Sequence, residues 1–139
     1  MEDLQEFLYL NLSKIHLQPK ACSFLLQKIS KCIASKELSK IKERVEFLNK
    51  KHFNKNINNV TLKNIDSKWG SCSSEGNISL STKILLAPDD IIEYIIIHEL
   101  AHLVEPNHSD NFWILVKGII PNYEEKINWL KENSSKLLL

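Results

Sequence analysis

The sequence is poor in residues that interrupt regular structure. Only three Gly and four Pro residues occur among its 139 residues, so long structureless loops and low-complexity segments are not expected. The three cysteines, Cys22, Cys32 and Cys72, include no Cys-x-x-Cys pair, and their odd number argues against a disulfide framework. We therefore expect a protein of the reducing cytoplasm.

Long apolar runs are also missing. No segment approaches the roughly eighteen consecutive apolar residues of a membrane span. The acidic start, Met1-Glu2-Asp3, does not resemble a signal peptide. The expectation is a soluble intracellular protein with no membrane partner, and its oligomeric state is left open.

A dense basic run with interleaved aromatic residues, which is typical of nucleic-acid binding, is absent as well. Residues 1–66 nevertheless hold twelve Lys and Arg residues against seven Asp and Glu residues, whereas residues 67–139 hold six against ten. The favoured interpretation of the basic half is that it forms the solvated faces of helices. Contact with nucleic acid stays an alternative.

The composition that remains, 43% hydrophobic and 25% charged, is typical of a soluble globular protein. The length suits a single domain over residues 1–139. Apolar residues at helical spacing indicate several amphipathic helices. They are predicted over residues 3–17, 20–33, 37–52, 89–104 and 122–133, and one more is predicted to begin after the N-cap Ser109.

Between the third and fourth of these helices the pattern changes. Val60 and Leu62 indicate a short strand, and turn formers followed by alternating residues predict a hairpin over residues 69–80. A helical region (1–56) thus precedes a core (57–139). The predicted fold class is α+β, mostly helical, with a small antiparallel sheet or hairpin in front of the helix at 89–104.

That helix carries the motif His98-Glu99-Leu100-Ala101-His102, which reads H-E-x-x-H. His98 and His102 lie one turn apart on the same face, so both imidazoles can bind one metal ion, with Glu99 beside it. This is the geometry of a zinc site. A structural zinc ion usually takes four protein ligands, whereas a catalytic one takes three and keeps a position for water.

The third ligand decides between these two kinds of site. His108 follows His102 at the offset of the third His in the long metzincin motif. Glu105 replaces the Gly of that motif, but Pro106 and Asn107 can end the helix and turn His108 inward. The Met-turn of metzincins is missing, since the only Met is Met1. The sequence therefore predicts one zinc ion on His98, His102 and His108, outside the metzincin class.

H-E-x-x-H on a helix is the pattern of zinc metalloproteases, in which the Glu is the general base. Zinc lowers the pKa of a bound water from about 15.7 toward roughly 7 and polarises the scissile carbonyl. Glu99 is expected to take the proton of the water as general base and to pass it to the leaving amine.

Other groups are expected to assist this reaction. A donor should stabilise the developing oxyanion, and an edge strand of the hairpin could pair with an extended substrate. The candidate oxyanion donors are Tyr94, Tyr123 and the backbone amides near Trp69 and Gly70. The candidate substrate-binding residues are Trp69, Gly70, Asn77, Ile78 and Ser79. Glu105 and Asp110 are candidate acceptors that orient the His rings, and Cys72 is interpreted as a packing residue rather than as a further ligand.

Several stretches together resemble the YgjP-like metallopeptidases, which are related to the SprT-like zinc proteases. The similarity covers about residues 60–133. It rests on Ser67-Lys68-Trp69-Gly70-Ser71-Cys72-Ser73, Asn77-Ile78-Ser79-Leu80, the H-E-x-x-H motif, Asn107-His108-Ser109 with Phe112-Trp113, and Trp129-Leu130-Lys131-Glu132.

The resemblance implies a zincin-like minimal metallopeptidase domain, an endopeptidase that acts on protein or peptide substrates. It also implies that His98, His102 and His108 hold one Zn²⁺ ion and that Glu99 is the catalytic carboxylate. Two alternatives stay open. One is a DNA-associated protease of the SprT-like kind, and the other is a non-catalytic binding module that zinc stabilises.

Overall fold

The computed structural model describes residues 19–134, and it describes side chains from Ser35 onward. In chain order the elements are α1 (Pro19–His52), β1 (Asn59–Lys63), β2 (Gly70–Cys72), β3 (Asn77–Ser81), a 3₁₀ helix (Thr82–Leu86), α2 (Asp89–Ala101), α3 (Asp110–Ile119) and α4 (Tyr123–Asn133). The chain divides into two compact units, Met1–Lys36 and Glu37–Leu139. The three strands and α2 to α4 all belong to the second unit.

Helix α1 differs from the sequence prediction. Two helices were expected, over residues 20–33 and 37–52, whereas one helix runs from Pro19 to His52. The segment between the two predicted helices, Ala34-Ser35-Lys36, contains no Pro or Gly, and Ala and Lys favour helix. The gap in the apolar pattern therefore does not mark the end of a helix. The helix predicted over residues 3–17 lies outside the described residues.

The part of α1 in the second unit packs one face into the core. Ile41, Val45 and Leu48 recur at helical spacing and are all buried. The helix ends where Asn54 takes a positive φ of 52°, and the Asn54 amide donates to the Asn49 carbonyl at 2.6 Å. Asn tolerates this left-handed conformation better than most residues, which explains why the helix ends here.

The three strands form one sheet in the order β1-β3-β2. Strands β2 and β3 are the predicted hairpin, with Gly70 opposite Leu80 in antiparallel register. Strand β1 joins the other edge of β3 in parallel, with Asn59 opposite Asn77. The sheet is therefore mixed, and β3 is its central strand.

The turn of the hairpin depends on Gly76. Its φ is +86°, and its amide donates to the Ser73 carbonyl at 3.1 Å. A Cβ atom at this position would lie 2.6 Å from the Asn56 carbonyl oxygen. Only Gly meets both conditions, the left-handed backbone and the close approach of residue 56.

Helix α2 is the buried axis of the second unit. Nine of its thirteen residues are buried. Its first turn carries two acidic residues, which suit the positive end of a helix. The Arg44 guanidinium donates to the Asp89 carbonyl at 2.8 Å, and the Lys126 ammonium donates to the Asp90 carboxylate at 2.6 Å. The start of α2 is thus attached to both α1 and α4.

The chain reverses between α2 and α3. Regular helix ends at Ala101, three residues before the predicted end, and the chain continues in tight turns whose last bond runs from the Glu105 amide to the Ala101 carbonyl. Helix α3 then begins with the predicted N-cap, since the Ser109 hydroxyl accepts from the Phe112 amide at 3.4 Å.

Helices α3 and α4 both pack against α2. Phe112 and Val116 of α3 are fully buried, and Leu130 of α4 is nearly so. Two sides of α2 are thereby covered close to its histidines. Within residues 19–134, no helix combines the length and the apolar content that a crossing of a membrane would need.

Candidate active site

The three histidines of the motif come from two neighbouring segments. His98 lies in the last turn of α2, and His102 is the residue that ends the helix, with its amide bonded to the Glu99 carbonyl. His108 follows in the loop that leads into α3. Because Tyr94, His98 and His102 are four residues apart, they share one face of the helix.

The histidine side chains converge. One nitrogen from each ring lies within 4.8 Å of the others, and the Nε2 atoms of His98 and His108 are 3.1 Å apart. His98 and His102 are half-buried, whereas His108 is exposed. Among the described residues, these three form the only cluster of His, Cys, Asp and Glu side chains with such convergence.

Hydrogen bonds at Nδ1 orient the rings of His98 and His102. The Tyr94 hydroxyl lies 3.2 Å from Nδ1 of His98, and the Glu105 carbonyl oxygen lies 3.1 Å from Nδ1 of His102. Each bond engages Nδ1 and so leaves Nε2 for a ligand, which is the usual arrangement around metal-binding His. Glu105 was a predicted acceptor, and its main chain makes the contact. Asp110 makes no such bond within the described part of the chain.

A phenyl ring supports all three imidazoles. Phe112 is fully buried, and its ring centroid lies 4.6 Å from that of His102 with an interplanar angle of 27°. Its centroid distances to His98 and His108 are 5.0 and 4.9 Å. The apolar floor restricts the rings to few orientations, because close-packed interiors leave little room for alternative rotamers.

The surroundings of His98 and His102 favour the neutral form of these two imidazoles. Burial, reinforced by the neighbouring rings of His102 and His108, lowers the pKa of His98 to about 4. Burial likewise lowers the pKa of His102. Neutral imidazole is the form that binds metal, so little proton release is needed when a cation enters at pH 7.

Glu99 is a buried carboxylate next to this cluster. Glu99 is only 6% exposed. Burial raises the pKa of its carboxyl group to about 7, although the positive charge of Lys68 acts in the opposite direction. Gly70 of β2 lies directly against it, since a Cβ atom on residue 70 would come within 3.0 Å of Oε1 of Glu99. Because Gly70 has no side chain, the backbone of β2 lies directly against the carboxylate.

A cavity of about 670 Å³ opens beside these groups. Glu99, His98 and His108 line it, together with Trp69 and Gly70 from the sheet side. The arrangement combines three convergent imidazoles, a buried carboxylate and space for a ligand, which are the components of a metal-assisted hydrolase.

Comparison with known proteins agrees with this geometry. A family model described as YgjP-like, metallopeptidase domain, matches residues 5–133. The chain belongs to the YgjP-like family. This membership implies a metal ion and a peptide substrate, and the match extends the resemblance seen over residues 60–133 to residues 5–59.

Two solved structures share the fold, and both are crystal structures of metallopeptidase zymogens. Abylysin of Pyrococcus abyssi is 23% identical, with a TM-score of 0.60 over 66% of this chain and 93% of that chain. Jannalysin of Methanocaldococcus jannaschii is 24% identical, with a TM-score of 0.54 over 64% of this chain and 94% of that chain. No curated protein matches the chain significantly. The predicted α+β minimal metallopeptidase fold is confirmed.

The predicted substrate-binding residues of this YgjP-like protein fall into two groups. Trp69 and Gly70 line the cavity beside Glu99. Asn77, Ile78 and Ser79 do not, because they belong to β3, whose two neighbours β1 and β2 are both paired with it. These three residues cannot offer the free edge that was expected of them. The sequence does not show that β1 adds to the hairpin, and the role of these three residues stays a prediction.

The two tyrosines proposed as oxyanion donors occupy different environments. Tyr94 is buried, lines the cavity and hydrogen-bonds His98. Tyr123 instead stacks on Trp113, with ring centroids 5.2 Å apart. Cys72 is not among the residues that converge on the cluster, and burial, with the charge of Glu99 second, raises the pKa of its thiol to about 11.

The sequence prediction did not identify the cavity wall contributed by α4. Ile127, Leu130, Lys131 and Ser134 all line the cavity. Their spacing, three, four and seven residues after Ile127, is that of one helical face. This spacing could have grouped them, but only the packing of α4 against α2 shows that the face lies beside the histidines.

Proposed function

We propose that this YgjP-like protein is a zinc-dependent endopeptidase in which His98, His102 and His108 hold one Zn²⁺ ion and Glu99 is the general base. The observation that carries the proposal is the convergence of three ring nitrogens within 4.8 Å beside a buried carboxylate. A structural zinc site does not require that carboxylate.

The donor set suits zinc. Two Zn–N bonds of about 2.0–2.1 Å at a tetrahedral angle place the two nitrogens roughly 3.3 Å apart, and the Nε2 atoms of His98 and His108 are 3.1 Å apart. Three imidazoles are also the ligands of catalytic zinc sites such as that of carbonic anhydrase. No fourth His, Cys, Asp or Glu among the described residues joins the cluster, which favours a site with a position left for a reactant.

When bound, zinc supplies Lewis-acid activation of a water molecule and of the scissile carbonyl. The residues of the chain supply the remaining steps. Glu99 accepts the proton of the attacking water on a carboxylate oxygen and delivers it to the leaving amine nitrogen. In the metal-free site, burial raises the pKa of Glu99 to about 7. A bound cation shifts this pKa downward and so favours the ionised base.

The decisive experiment compares the wild type with Glu99→Gln. The amide keeps the shape of the carboxylate but cannot act as a base, so zinc content should stay unchanged while hydrolysis of a peptide library falls by a factor of 10² or more, as expected for loss of a general base. Glu93→Gln is the matched control, since Glu93 lies on the same helix outside the cavity. Glu99-independent cleavage contradicts the proposal.

A second variant, His108→Ala, tests the third ligand. Loss of one of three imidazoles should lower zinc affinity strongly while the chain still folds, because His108 is exposed. Unchanged stoichiometric zinc in this variant points to Glu105 or another acidic residue as the third ligand. The combined variant His108→Ala with Glu105→Gln then identifies which side chain holds the metal.

The other interpretations gain no specific support from the described residues. A non-catalytic zinc module leaves the buried Glu99 unexplained. A DNA-associated activity and a cytoplasmic location stay predictions from the sequence alone.

A further inference from the structure

The cavity beside Glu99 is more apolar than the reaction itself requires. Apart from the catalytic groups, most of its wall consists of aromatic and aliphatic side chains. They are Trp69, Tyr94, Ile95, Trp113, Ile127 and Leu130. Because Glu99, His98 and His108 line the same cavity, whatever enters it lies next to the proposed reacting groups.

Side chains of the cavity wall are already held in place by their neighbours. Trp113 is stacked between two other rings, with centroid distances of 5.8 Å to His108 and 5.2 Å to Tyr123 and interplanar angles of 21° in both cases. Leu130 is only 8% exposed, and Ile95 only 2%. A side chain that binds here therefore meets a preformed surface, which lowers the entropic cost of association.

Charged side chains fit this space poorly. Besides His98 and His108, the ionisable residues that line the cavity are Glu99, Tyr94 and the exposed Lys131. An acidic or a basic side chain would have to place its charge among the apolar side chains that line most of the cavity. Either would lose hydration against apolar walls, and a small side chain would leave much of the volume without contacts.

A second cavity shows where a substrate can continue. It has a volume of about 390 Å³ and shares Trp113, Ile127 and Lys131 with the first. Its other lining residues include Glu124 and Asn128, which offer hydrogen bonds to a polar chain. The pair of cavities suits an extended peptide with one large apolar side chain better than an isolated apolar molecule.

We propose that the cavity between α2, α3 and α4 selects substrates with an aromatic or long aliphatic residue, such as Phe or Leu, next to the scissile bond, and that Ile127 sets its size. This inference rests on the proposed peptidase function. A volume of 670 Å³ has room for a Phe or Leu side chain, and aromatic side chains bury the largest area of any residue.

The test measures binding separately from hydrolysis. Full-length, zinc-loaded Glu99→Gln protein is titrated with blocked Ala-based peptides whose central residue is Phe, Leu, Ala, Asp or Lys. Tryptophan fluorescence reports binding, since Trp69 and Trp113 line the cavity. The Phe and Leu peptides should bind at least about tenfold more tightly than the Ala peptide, and the Asp and Lys peptides should bind no better than Ala.

Variants of Ile127 locate the effect. Ile127→Phe, which adds no new fluorophore, should narrow the cavity and reduce the preference for Phe over Ala to about threefold or less. Ile127→Ala should enlarge it and retain the preference for Phe over Ala, while weakening Leu relative to Phe. The control is Ile114→Phe on α3, because Ile114 is 68% exposed and outside the cavity; it should keep the parent preference.

The two proposals fail in different ways. Equal binding of the Phe and Ala peptides, or a Phe preference that Ile127→Phe leaves unchanged, overturns this inference whatever the activity of the enzyme. Absence of Glu99-dependent hydrolysis in the wild type overturns the proposed function instead, since the binding measurement does not depend on turnover.

Discussion

The backbone of Gly70 lies against the carboxylate of Glu99, so that a Cβ atom on residue 70 would stand 3.0 Å from Oε1 and 3.1 Å from Cγ of Glu99. The same atom would lie 3.1 Å from Cδ2 of Leu80, which is fully buried. Gly70 is thus enclosed by the proposed base on one side and the core on the other. The Glu99 carboxylate can occupy this position because residue 70 has no Cβ atom.

We therefore expect Gly70→Ala to reduce kcat without removing zinc. The added methyl group must displace Glu99 by a few tenths of an ångström, and small displacements of a reacting group cost roughly tenfold or more in rate. Gly118→Ala is the matched control, because a Cβ atom there meets nothing within 4 Å. Steady-state kinetics with zinc quantification decide between the two. Equal kcat values for both variants would show that the contact does not position Glu99.

Phe112 should determine how well the histidines hold zinc. Phe112→Leu removes the ring that stacks on His102 at 4.6 Å, and we expect zinc affinity to fall about tenfold, the lower end of losses from outer-shell changes. Thermal unfolding of the metal-free protein should show a loss of about 1–3 kcal/mol, as is common for core substitutions.

Val116→Ala separates these two effects. Val116 is equally buried, on the same helix, and it makes no ring contact with the histidines. It should lower stability by a similar amount and leave zinc affinity unchanged. If both variants lost zinc to the same degree, the role of Phe112 would be general stability rather than support of the imidazoles.

The contrast between what could and could not be predicted from sequence follows from the range of the interactions. The helical spacing of His98 and His102, the N-cap Ser109 and the apolar helix α2 are local features, and the structure confirms where these residues lie. The central position of β3 and the α4 wall of the cavity depend on contacts between distant segments. Residue periodicity carries no information about which face meets which neighbour.

The thiol of Cys72, a half-buried residue, should react slowly at neutral pH. Burial and the charge of Glu99 raise its pKa to about 11, and only the thiolate is nucleophilic. In a background with Cys22→Ser and Cys32→Ser, alkylation by iodoacetamide should therefore be slow at pH 8–9 and accelerate as the pH approaches about 11. Mass spectrometry of samples quenched at intervals gives the rate.

The same background tests whether Cys72 seals the metal site. Cys72→Ala should retain stoichiometric zinc, since Cys72 does not converge with the histidines. Loss of metal from Cys72→Ala would instead support the non-catalytic module with a fourth protein ligand.

Tyr94 is the residue for which two roles make opposite predictions. Its hydroxyl lies 3.2 Å from Nδ1 of His98, and burial raises its pKa well above the usual range, so it stays protonated. As an orienting group, its loss in Tyr94→Phe should weaken zinc binding about ten- to a hundredfold and leave kcat at saturating zinc nearly unchanged. As an oxyanion donor, its loss should lower kcat by about 10²–10³ with zinc affinity intact. Because the hydrogen bond to His98 is already formed, we expect the first outcome. Tyr123→Phe should change neither quantity, since Tyr123 contributes a ring stacked on Trp113 that Phe preserves; zinc titration and saturation kinetics on both variants distinguish the roles.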